Sequence, residues 1–291
     1  MKKYVLYHKG CMDGFGAALC AWLKFGDEAT YIPCSNDDKV LPEMEDGSEV
    51  YILDFSFSRQ VLLDLAFRMK SLLVLDHHKT AREALQGLDF AWFSKENSGA
   101  VMAWRHFHKY HPIPLLIQYI EDRDLWAWKL PNSRGVNAVL GTYPMEFPVW
   151  HSLLTGMHFS SRKLEGEGEV AWRMIEQAVK RQCGQSSVHV ARFAPGEKKI
   201  ELMAVTPACP SLVAKSFGIH FVPVVNATAY VDEVAEELIR QYEWAPFVGV
   251  YQQRANGKTK WSLRSREGFD CLPIAEAFGG GGHERACGFI A

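Results

Sequence analysis

The sequence predicts an α/β protein in which an N-terminal domain built on a parallel sheet is followed by a smaller C-terminal α/β domain. The chain has 291 residues, which is long for one compact unit and makes two domains the default expectation. In its first part, short apolar segments alternate with helical patterns, as is typical of a parallel sheet covered on both faces. Hydrophobic residues make up 48% and charged residues 23%, the composition of an ordinary globular protein.

The N-terminal elements follow in order along the chain. Strands are predicted over four apolar segments: Tyr4–Tyr7, Ala29–Pro33, Val50–Leu53 and Ser71–Leu75. Helices are predicted over five segments: Gly14–Phe25, Val61–Met69, Met102–Tyr110, Leu115–Ile120 and Val170–Arg181. Because ligands of parallel sheets bind at the carboxyl ends of the strands, the residues directly after each strand are the first functional candidates.

The C-terminal domain is predicted from a second set of short elements. Its strands are Ile200–Val205, Phe221–Val225, Phe247–Gln253, Lys260–Arg264 and Ala286–Ile290, and its helix is Glu233–Gln241. The segment Ala255-Asn256-Gly257 is typical of a hairpin turn. We predict domains at residues 1–185 and 199–291, joined by a linker at 186–198 that contains Pro195-Gly196.

Charge and cysteine content exclude several classes of protein. The 32 Lys and Arg against 34 Asp and Glu give a net charge of −2, which argues against binding long nucleic acid through a broad basic surface. No segment approaches the roughly 18 apolar residues of a membrane span, and the N-terminal apolar run is too short for a signal peptide. The seven cysteines are odd in number and lack a CxxC pair, so we expect a reducing, cytoplasmic location.

Metal-binding residue types follow the predicted strands. His8 follows the first strand, Asp54 the third, and Asp76-His77-His78 the fourth, with Asp13 and Asp122 on separate segments. This mixture of carboxylate and imidazole suits borderline divalent ions such as Mn²⁺. A carboxylate on a middle strand can bridge two ions, which activate water and stabilise a phosphoryl transition state.

These motifs resemble the DHH phosphoesterase superfamily with its associated C-terminal domain. The resemblance rests on motifs in the family's order: His8 with Cys11-Met12-Asp13-Gly14, Asp54, Asp76-His77-His78, Asp122, Trp261–Arg266, Gly279–His283 and Ala286-Cys287-Gly288. Within the superfamily, the chain is most similar to the nanoRNase and exopolyphosphatase-like branch. The resemblance implies residues 1–185 as a catalytic domain, residues 199–291 as a substrate-binding domain, and an active site in the cleft between them.

The resemblance also implies a ligand set for two Mn²⁺ ions. One ion is expected on His8 and Asp54, and the other on Asp13, Asp54, His77 and Asp122. One position departs from the family pattern, because Cys11 stands where the family usually has Asp. As a tentative, softer ligand, Cys11 could shift the preference towards Co²⁺, Fe²⁺ or Zn²⁺, or it could ligate nothing.

Two further assignments concern the residues around the metals. Asp76 is expected to orient the histidines, and His78 to contact the substrate phosphate. Asp124 is the alternative to Asp122, which we prefer as the metal ligand.

The glycine-rich C-terminal motif suggests a phosphate site. Glycines, here Gly280, Gly281 and Gly282, let backbone N–H groups approach a phosphate closely. His283 adds a donor and Arg264 can clamp a phosphate through two hydrogen bonds. Arg266 is either a second clamp or a solvated strand end.

The sequence therefore predicts a cytoplasmic, metal-dependent phosphodiesterase that hydrolyses terminal bonds of very short oligonucleotides with a two-metal-activated water. The alternative in the same class is an exopolyphosphatase or nucleotide 3′-phosphatase, which needs no base recognition; Phe278 and Phe289 are the candidates for base stacking. A third alternative is a catalytically weak nucleotide-binding regulator. We expect a short oligonucleotide, nucleotide or polyphosphate as substrate and neither long nucleic acid nor membrane as partner, and we leave a homodimer open.

Overall fold

The structure is a computed structural model that describes residues 1–35, 41–155, 161–184, 188–203 and 219–291, without the side chains of 161–165. The chain divides into two compact units, Met1–Trp172 and Arg173–Ala291. None of the helices in the described ranges is long and apolar enough to cross a membrane.

The N-terminal unit is built on a parallel sheet of five strands, which confirms the predicted fold class. The strands are β1 (Lys3–His8), β2 (Ala29–Cys34), β3 (Glu49–Leu53), β4 (Ser71–Asp76) and β5 (Ala91–Phe93). Their spatial order is β2-β1-β3-β4-β5, and all neighbouring pairs are parallel. The carboxyl ends of β1, β3 and β4 therefore lie side by side at one edge of the sheet.

In the ranges that the structure describes, eight α-helices surround or follow this sheet. They are α1 (Met12–Phe25), α2 (Arg59–Arg68), α3 (Lys79–Ala84), α4 (Gly99–Phe107), α5 (Leu115–Asp124), α6 (Ser133–Leu140), α7 (Phe147–Thr155) and α8 (Ser161–Gln182). Helix α1 packs its Ala- and Leu-rich face into a core centred on Phe15 and Trp150. Helix α4 begins three residues earlier than predicted, because the side chain of Ser98 accepts a hydrogen bond from the amide of Val101 (3.4 Å) and caps the helix.

The C-terminal unit contains a mixed sheet of seven strands. These are β6 (Val188–Ala194), β7 (Lys199–Met203), β8 (His220–Asn226), β9 (Phe247–Gln253), β10 (Thr259–Ser265), β11 (Gly281–His283) and β12 (Ala286–Ile290). The order is β11-β12-β10-β9-β8-β6-β7, in which only the β8–β9 pair is parallel. Helices α9 (Val231–Gln241) and α10 (Leu272–Ala277) complete the unit. The predicted turn is present, with Gly257 at φ 78°.

The stretch that we predicted as a linker, 186–198, differs from the structure. Residues 186 and 187 lie outside the described residues, and residues 188–194 form β6, which pairs with β7 and β8. The reason is that most apolar side chains of this stretch are buried, among them Val188, Val190 and Phe193, so the stretch belongs to the core of the sheet. The units divide between residues 172 and 173, inside α8.

Candidate functional site

Polar side chains from separate elements meet at the carboxyl edge of the parallel sheet. His8 is the last residue of β1, Asp54 follows β3 and His77 follows β4. Cys11 precedes α1 and Asp13 lies in its first turn. Candidate ligand atoms of His8, Cys11 and Asp54 lie within 4.8 Å of one another, as do those of Asp13, Asp54 and His77.

Asp54 is common to both groups and is the least ordinary residue of the site. It has a φ of 64°, in the left-handed region that few non-glycine residues adopt. Its amide donates to the carbonyl of Leu75 (2.8 Å), which holds the backbone directly after β3 against the end of the neighbouring strand β4. The side chain is only 1% exposed, so its carboxylate is held inside the protein.

The two carboxylate oxygens of Asp54 are buried and lack a hydrogen-bond partner among the described residues. Nevertheless, Nδ1 of His8 lies 3.3 Å from Oδ2, and Nε2 of His77 lies 3.2 Å from Oδ1. The Nδ1 atom of His8 is likewise buried without a hydrogen-bond partner. Buried polar groups are almost always hydrogen-bonded, so atoms that gather without forming those bonds are typical of a site for a cation.

Asp13 is held at the beginning of helix α4. Its Oδ2 accepts from the amide of Gly99 (2.6 Å) and its Oδ1 from that of Ala100 (3.0 Å). A carboxylate is favoured there by the unsatisfied amides and the positive end of the helix dipole. These two bonds fix the orientation of the carboxylate towards Asp54.

Gly99 is a position that the sequence analysis missed in this site, and Gly14 is one to which it gave no role of its own. A Cβ on Gly99 would lie 2.6 Å from Cβ of Asp54 and 2.9 Å from Oδ2 of Asp13. A Cβ on Gly14 would lie 2.4 Å from the carbonyl oxygen of His8. Gly14 was recognised only as part of a motif, and the Ser98-Gly99 pair at a helix start is the signal that could have indicated the other.

Asp76 holds the histidines that follow it. Its Oδ1 accepts from Nδ1 of His78 (2.7 Å) and from the backbone amides of His77 (2.7 Å) and His78 (3.2 Å). Burial lowers the pKa of His78, but the Asp76 carboxylate outweighs it and raises that pKa above its ordinary value. The structure thus gives Asp76 the contacts expected of an orienting residue, and Nε2 of His78 lies on the opposite side of the ring.

Asp122 and Asp124, the two candidates for one ligand position, have different surroundings in the structure. Both oxygens of Asp122 accept backbone hydrogen bonds, from Lys129 (2.8 Å) and Leu130 (3.1 Å), and so hold the loop after α5. Asp124 instead places Oδ2 3.4 Å from Nε2 of His77. The two residues are two positions apart on a helix and therefore point to different sides, so only one can reach the cluster.

The charges of the cluster oppose one another in the absence of a cation. Burial, followed by the negative charges of Asp54 and Asp124, raises the pKa of Asp13 well above its ordinary value. Burial acts to raise the pKa of Asp54, but the imidazoles of His77 and His8 outweigh it and hold that pKa below its ordinary value. Burial lowers the pKa of His77, while Asp54 and Asp124 raise it to about 10. Such crowding of buried acids is relieved when a divalent cation lies between them, so the residues fit a metal site.

Cys11 belongs to the same cluster, next to His8 and Asp54. Burial raises the pKa of its thiol well above the ordinary value, and the carboxylates of Asp54 and Asp124 raise it further. The group is therefore a neutral thiol in the metal-free protein. It becomes a thiolate ligand only where a cation offsets those negative charges.

In the C-terminal unit, the predicted phosphate-binding residues have structural contacts. Nη2 of Arg264 donates to Oδ1 of Asp232, and Nη1 donates to the carbonyl of Leu263 (2.8 Å). Arg266 is used by the fold: it donates to the carbonyls of Ala245 (3.0 Å), Tyr242 (3.1 Å) and Ile239. Arg266 therefore caps the end of α9, which corrects its assignment as a phosphate clamp or solvated strand end.

The glycines of this motif allow two strands to approach closely. A Cβ on Gly280 would lie 2.0 Å from the carbonyl oxygen of Gly288, and one on Gly282 would lie 2.6 Å from that of Ala286. Gly281 and His283 lie in β11, paired with Gly288 and Ala286 of β12. This packing explains the absence of side chains at residues 280 and 282 without a ligand, so the phosphate role of the motif stays a prediction.

Among the comparisons with known proteins, one family model matches the C-terminal part of the chain. The family model of the DHHA1 domain matches residues 221–291, from β8 to the end of the chain. The match agrees with the C-terminal part of the resemblance that the sequence motifs indicated.

Other similarities extend over the whole chain but are distant. An uncharacterised protein, R106, of Acanthamoeba polyphaga mimivirus is 26% identical over 304 residues, and the alignment spans 98% of this chain and 66% of that protein. A pGpG-specific phosphodiesterase, PggH, of Vibrio cholerae aligns with 100% of this chain and 93% of its own, at 10% identity and a TM-score of 0.48. An exopolyphosphatase-related protein of Bacteroides fragilis (99% and 86%) has 15% identity and a TM-score of 0.43. RecJ of Thermus thermophilus, in complex with Mn²⁺ (99% and 49%), has 12% identity and a TM-score of 0.45.

Proposed function

We propose that this protein is a divalent-metal-dependent phosphodiesterase that hydrolyses terminal bonds of very short oligonucleotides. The observation that carries the proposal is the buried carboxylate of Asp54, whose two unpartnered oxygens face His8 on one side and His77 on the other. A carboxylate that belongs to two ligand groups is what a pair of neighbouring cations requires. The match to the DHHA1 domain in the same chain supports the phosphoesterase class.

The chain's own residues would hold the two cations as two groups. His8, Asp54 and Cys11 form one group, and Asp13, Asp54 and His77 form the other. Asp124 lies beside His77 and takes the place that we first gave to Asp122. When bound, divalent cations supply Lewis acidity to a phosphoryl oxygen and lower the pKa of water.

His78 is the group that we assign to the substrate phosphate. Asp76 binds Nδ1 of its ring, which orients Nε2 as the remaining donor. Two backbone amides of helix α4 donate hydrogen bonds to the carboxylate of Asp13. The orientation of this carboxylate is therefore set before substrate binds.

The charge of the chain favours a short anionic substrate. With a net charge of −2, the protein has no excess of basic residues to follow a long phosphate backbone. We therefore expect turnover to fall steeply as the oligonucleotide lengthens beyond a few residues.

The test is turnover of a 5′-labelled dinucleotide with Mn²⁺, Co²⁺ or Mg²⁺ supplied separately. We expect cleavage by the wild type and loss of at least 100-fold in Asp54→Asn, on the order of what removal of one electrostatic group costs an active site. Asp64→Asn, on the exposed surface of α2, is the matched control and should retain full turnover. Absence of dinucleotide hydrolysis with all three metals would refute the proposal.

One observation favours the alternative of an exopolyphosphatase or nucleotide 3′-phosphatase. The two phenylalanines considered for base stacking pack against each other, with Phe278 and Phe289 at 4.6 Å between ring centroids, and Phe289 is 4% exposed. The face that a base would need is thus used inside the C-terminal unit. Competition between inorganic polyphosphate and the dinucleotide at equal phosphate concentration distinguishes the two; stronger binding of polyphosphate would favour the alternative.

Mn²⁺ is our proposed metal, and Cys11 is the residue that could change this preference towards Co²⁺, Fe²⁺ or Zn²⁺. A Cys11→Asp variant restores the acidic residue usual in the family motif. If the thiol ligates, the variant should bind Mn²⁺ more tightly and Zn²⁺ more weakly than the wild type, as measured by calorimetric titration. Unchanged affinities for both ions would show that Cys11 does not ligate.

A further inference from the structure

Two cysteines of the C-terminal unit lie in direct contact. The Sγ atoms of Cys271 and Cys287 are 3.2 Å apart. Both residues are almost fully buried: the exposed fraction is 0% for Cys271 and 5% for Cys287. A disulfide bond requires about 2.05 Å, so the two sulfur atoms need to approach by only about 1.2 Å. No residue of the proposed metal site is involved.

The backbones that carry the two thiols are fixed relative to each other. The amide of Cys271, at the start of α10, donates to the carbonyl of Glu284 (2.8 Å). Cys287 pairs with Gly282 of β11 on one side and with Leu263 of β10 on the other. Both residues therefore border the turn between β11 and β12, and their contact is set by hydrogen bonds of the hairpin.

We propose that Cys271 and Cys287 are a redox modification site that forms a reversible disulfide with a peroxide as oxidant. The Cys271 thiolate attacks one oxygen of hydrogen peroxide, the O–O bond breaks, and hydroxide leaves as a sulfenic acid forms. The thiol of Cys287 then loses its proton and attacks the Cys271 sulfur, and a second hydroxide leaves as the S–S bond forms. In total, two thiols and one peroxide give one disulfide and two waters.

The surroundings assign the two sulfur atoms different roles. The contact with Cys287 lowers the pKa of the Cys271 thiol against the effect of burial, and Ser265 and Arg264 lower that pKa further. The same contact, together with burial, raises the pKa of Cys287. Cys271 is thus the attacking thiolate and Cys287 the resolving thiol.

Access for a small oxidant comes through the sheet edge. Strand β11 has three residues, two of which are glycines, and it forms the outer strand next to β12. Short edge strands of this composition open locally at low cost in free energy. Cys183, in the same unit, differs: it directs Sγ to the carbonyl of Val234 (3.6 Å), and burial raises its pKa to about 12.

The test is peptide mapping of the reduced full chain after brief treatment with hydrogen peroxide and alkylation of the remaining thiols. We expect one cross-linked species that joins the Cys271 and Cys287 peptides, lighter by two hydrogen atoms and reversed by dithiothreitol. Cys183→Ser, a buried cysteine of the same unit, should form the bond as well as the wild type. Alkylation of both Cys271 and Cys287 after peroxide, or their cross-linking to other cysteines, would overturn the proposal.

A second measurement does not depend on the variants being well folded. The oxidised wild type should unfold at a higher temperature than the reduced protein, by on the order of 10 °C for a closed loop of this length, and dithiothreitol should abolish the difference. Amides around the β11–β12 turn should also exchange hydrogen more slowly after oxidation. These measurements report thiol chemistry and stability, so their outcome is independent of the proposed hydrolase activity.

Discussion

Substitution of Asp54 tests the feature on which the proposed site depends. In Asp54→Asn the side chain keeps its size, and asparagine tolerates the left-handed φ of 64° at this position. The amide replaces a carboxylate that we place between two cations, so the variant should lose most of its affinity for Mn²⁺. Its fold should remain, since the backbone bond to Leu75 is unchanged.

The size of the effect follows from ligand-linked stability. A cation present at about 100 times its Kd stabilises the folded state by about 2.7 kcal/mol. For a unit of this size each kcal/mol shifts the Tm by about 2–4 °C, so wild type should gain about 5–11 °C on addition of Mn²⁺. We expect less than a third of that gain in Asp54→Asn at the same Mn²⁺ concentration.

A second variant separates the effect of the backbone conformation on stability from the effect of metal binding. Alanine also removes the carboxylate, but it disfavours the left-handed conformation by about 1–2 kcal/mol. Without metal, Asp54→Ala should therefore unfold below Asp54→Asn by a few degrees, whereas the two should be equally insensitive to Mn²⁺.

The assay is thermal unfolding with and without Mn²⁺, read beside dinucleotide turnover. Asp64→Asn supplies the control for loss of an exposed carboxylate in the same unit. A full Mn²⁺-dependent shift in Asp54→Asn would show that Asp54 is not a ligand, and would refute the argument from its unpartnered oxygens. A difference between Asn and Ala of less than about 0.5 kcal/mol would refute the argument from φ.

Three further predictions follow from neighbouring contacts. Gly99→Ala places a Cβ 2.6 Å from Asp54, so metal affinity should fall about 10- to 100-fold in titration calorimetry, and unchanged affinity would contradict the steric argument. Asp122→Ala should lower the free energy of unfolding by about 2 kcal/mol or more, because two hydrogen bonds from backbone amides are lost. Asp124→Asn should instead chiefly lower the affinity for Mn²⁺. The reverse pattern in denaturant unfolding and metal titration would favour Asp122 as the ligand. Burial lowers the pKa of His220, so the folded state binds fewer protons than the unfolded state just below about pH 6.5, and the free energy of unfolding should rise with pH through that window. In unfolding measured as a function of pH, His220→Gln should reduce this slope. An unchanged slope would exclude His220 as its source.

The position of the site was predictable because it depends on strand direction alone. His8, Asp54 and His77 end or follow three parallel strands, and neighbouring parallel strands bring their carboxyl ends to one edge. Periodicity of apolar residues is enough to find those strands. The residues that lie on other elements were harder, since their approach to this edge depends on tertiary packing.

The choice between Asp122 and Asp124 shows where local sequence stops being informative. Both acids end the same helix, and both are chemically suitable ligands. The decision is made by the chain after the helix, where the amides of Lys129 and Leu130 turn back and bind Asp122. Nothing in the sequence of the motif indicates that return, so the sequence alone could not favour Asp124.

The glycine motif was ambiguous for a different physical reason. A phosphate-binding loop and a closely packed strand pair both require residues without a Cβ, so the same glycine-rich sequence is compatible with either structure. The carbonyl of Gly288, 2.0 Å from a hypothetical Cβ on Gly280, shows that packing alone demands glycine there. Arg266 is similar, because a guanidinium that clamps a phosphate and one that caps a helix both use parallel N–H donors.

A purely structural explanation of the acidic cluster leads to different expectations from a functional one. Buried ion pairs kept for stability need good hydrogen-bond geometry, because poorly paired buried charges cost more than they return. In this unit Asp54 combines a left-handed backbone with two buried oxygens that lack hydrogen bonds, and burial together with the charges of Asp54 and Asp124 raises the pKa of the nearby Asp13 carboxyl. Strained features of this kind persist where a bound group offsets their cost. The strand ends place His8, Asp54 and His77 at one edge of the sheet, and the amides of α4 hold the carboxylate of Asp13 beside Asp54. The stability of the metal-free protein should therefore improve when Asp13 is replaced by asparagine, at the expense of metal binding, which is the opposite of what a stabilising ion-pair network would do.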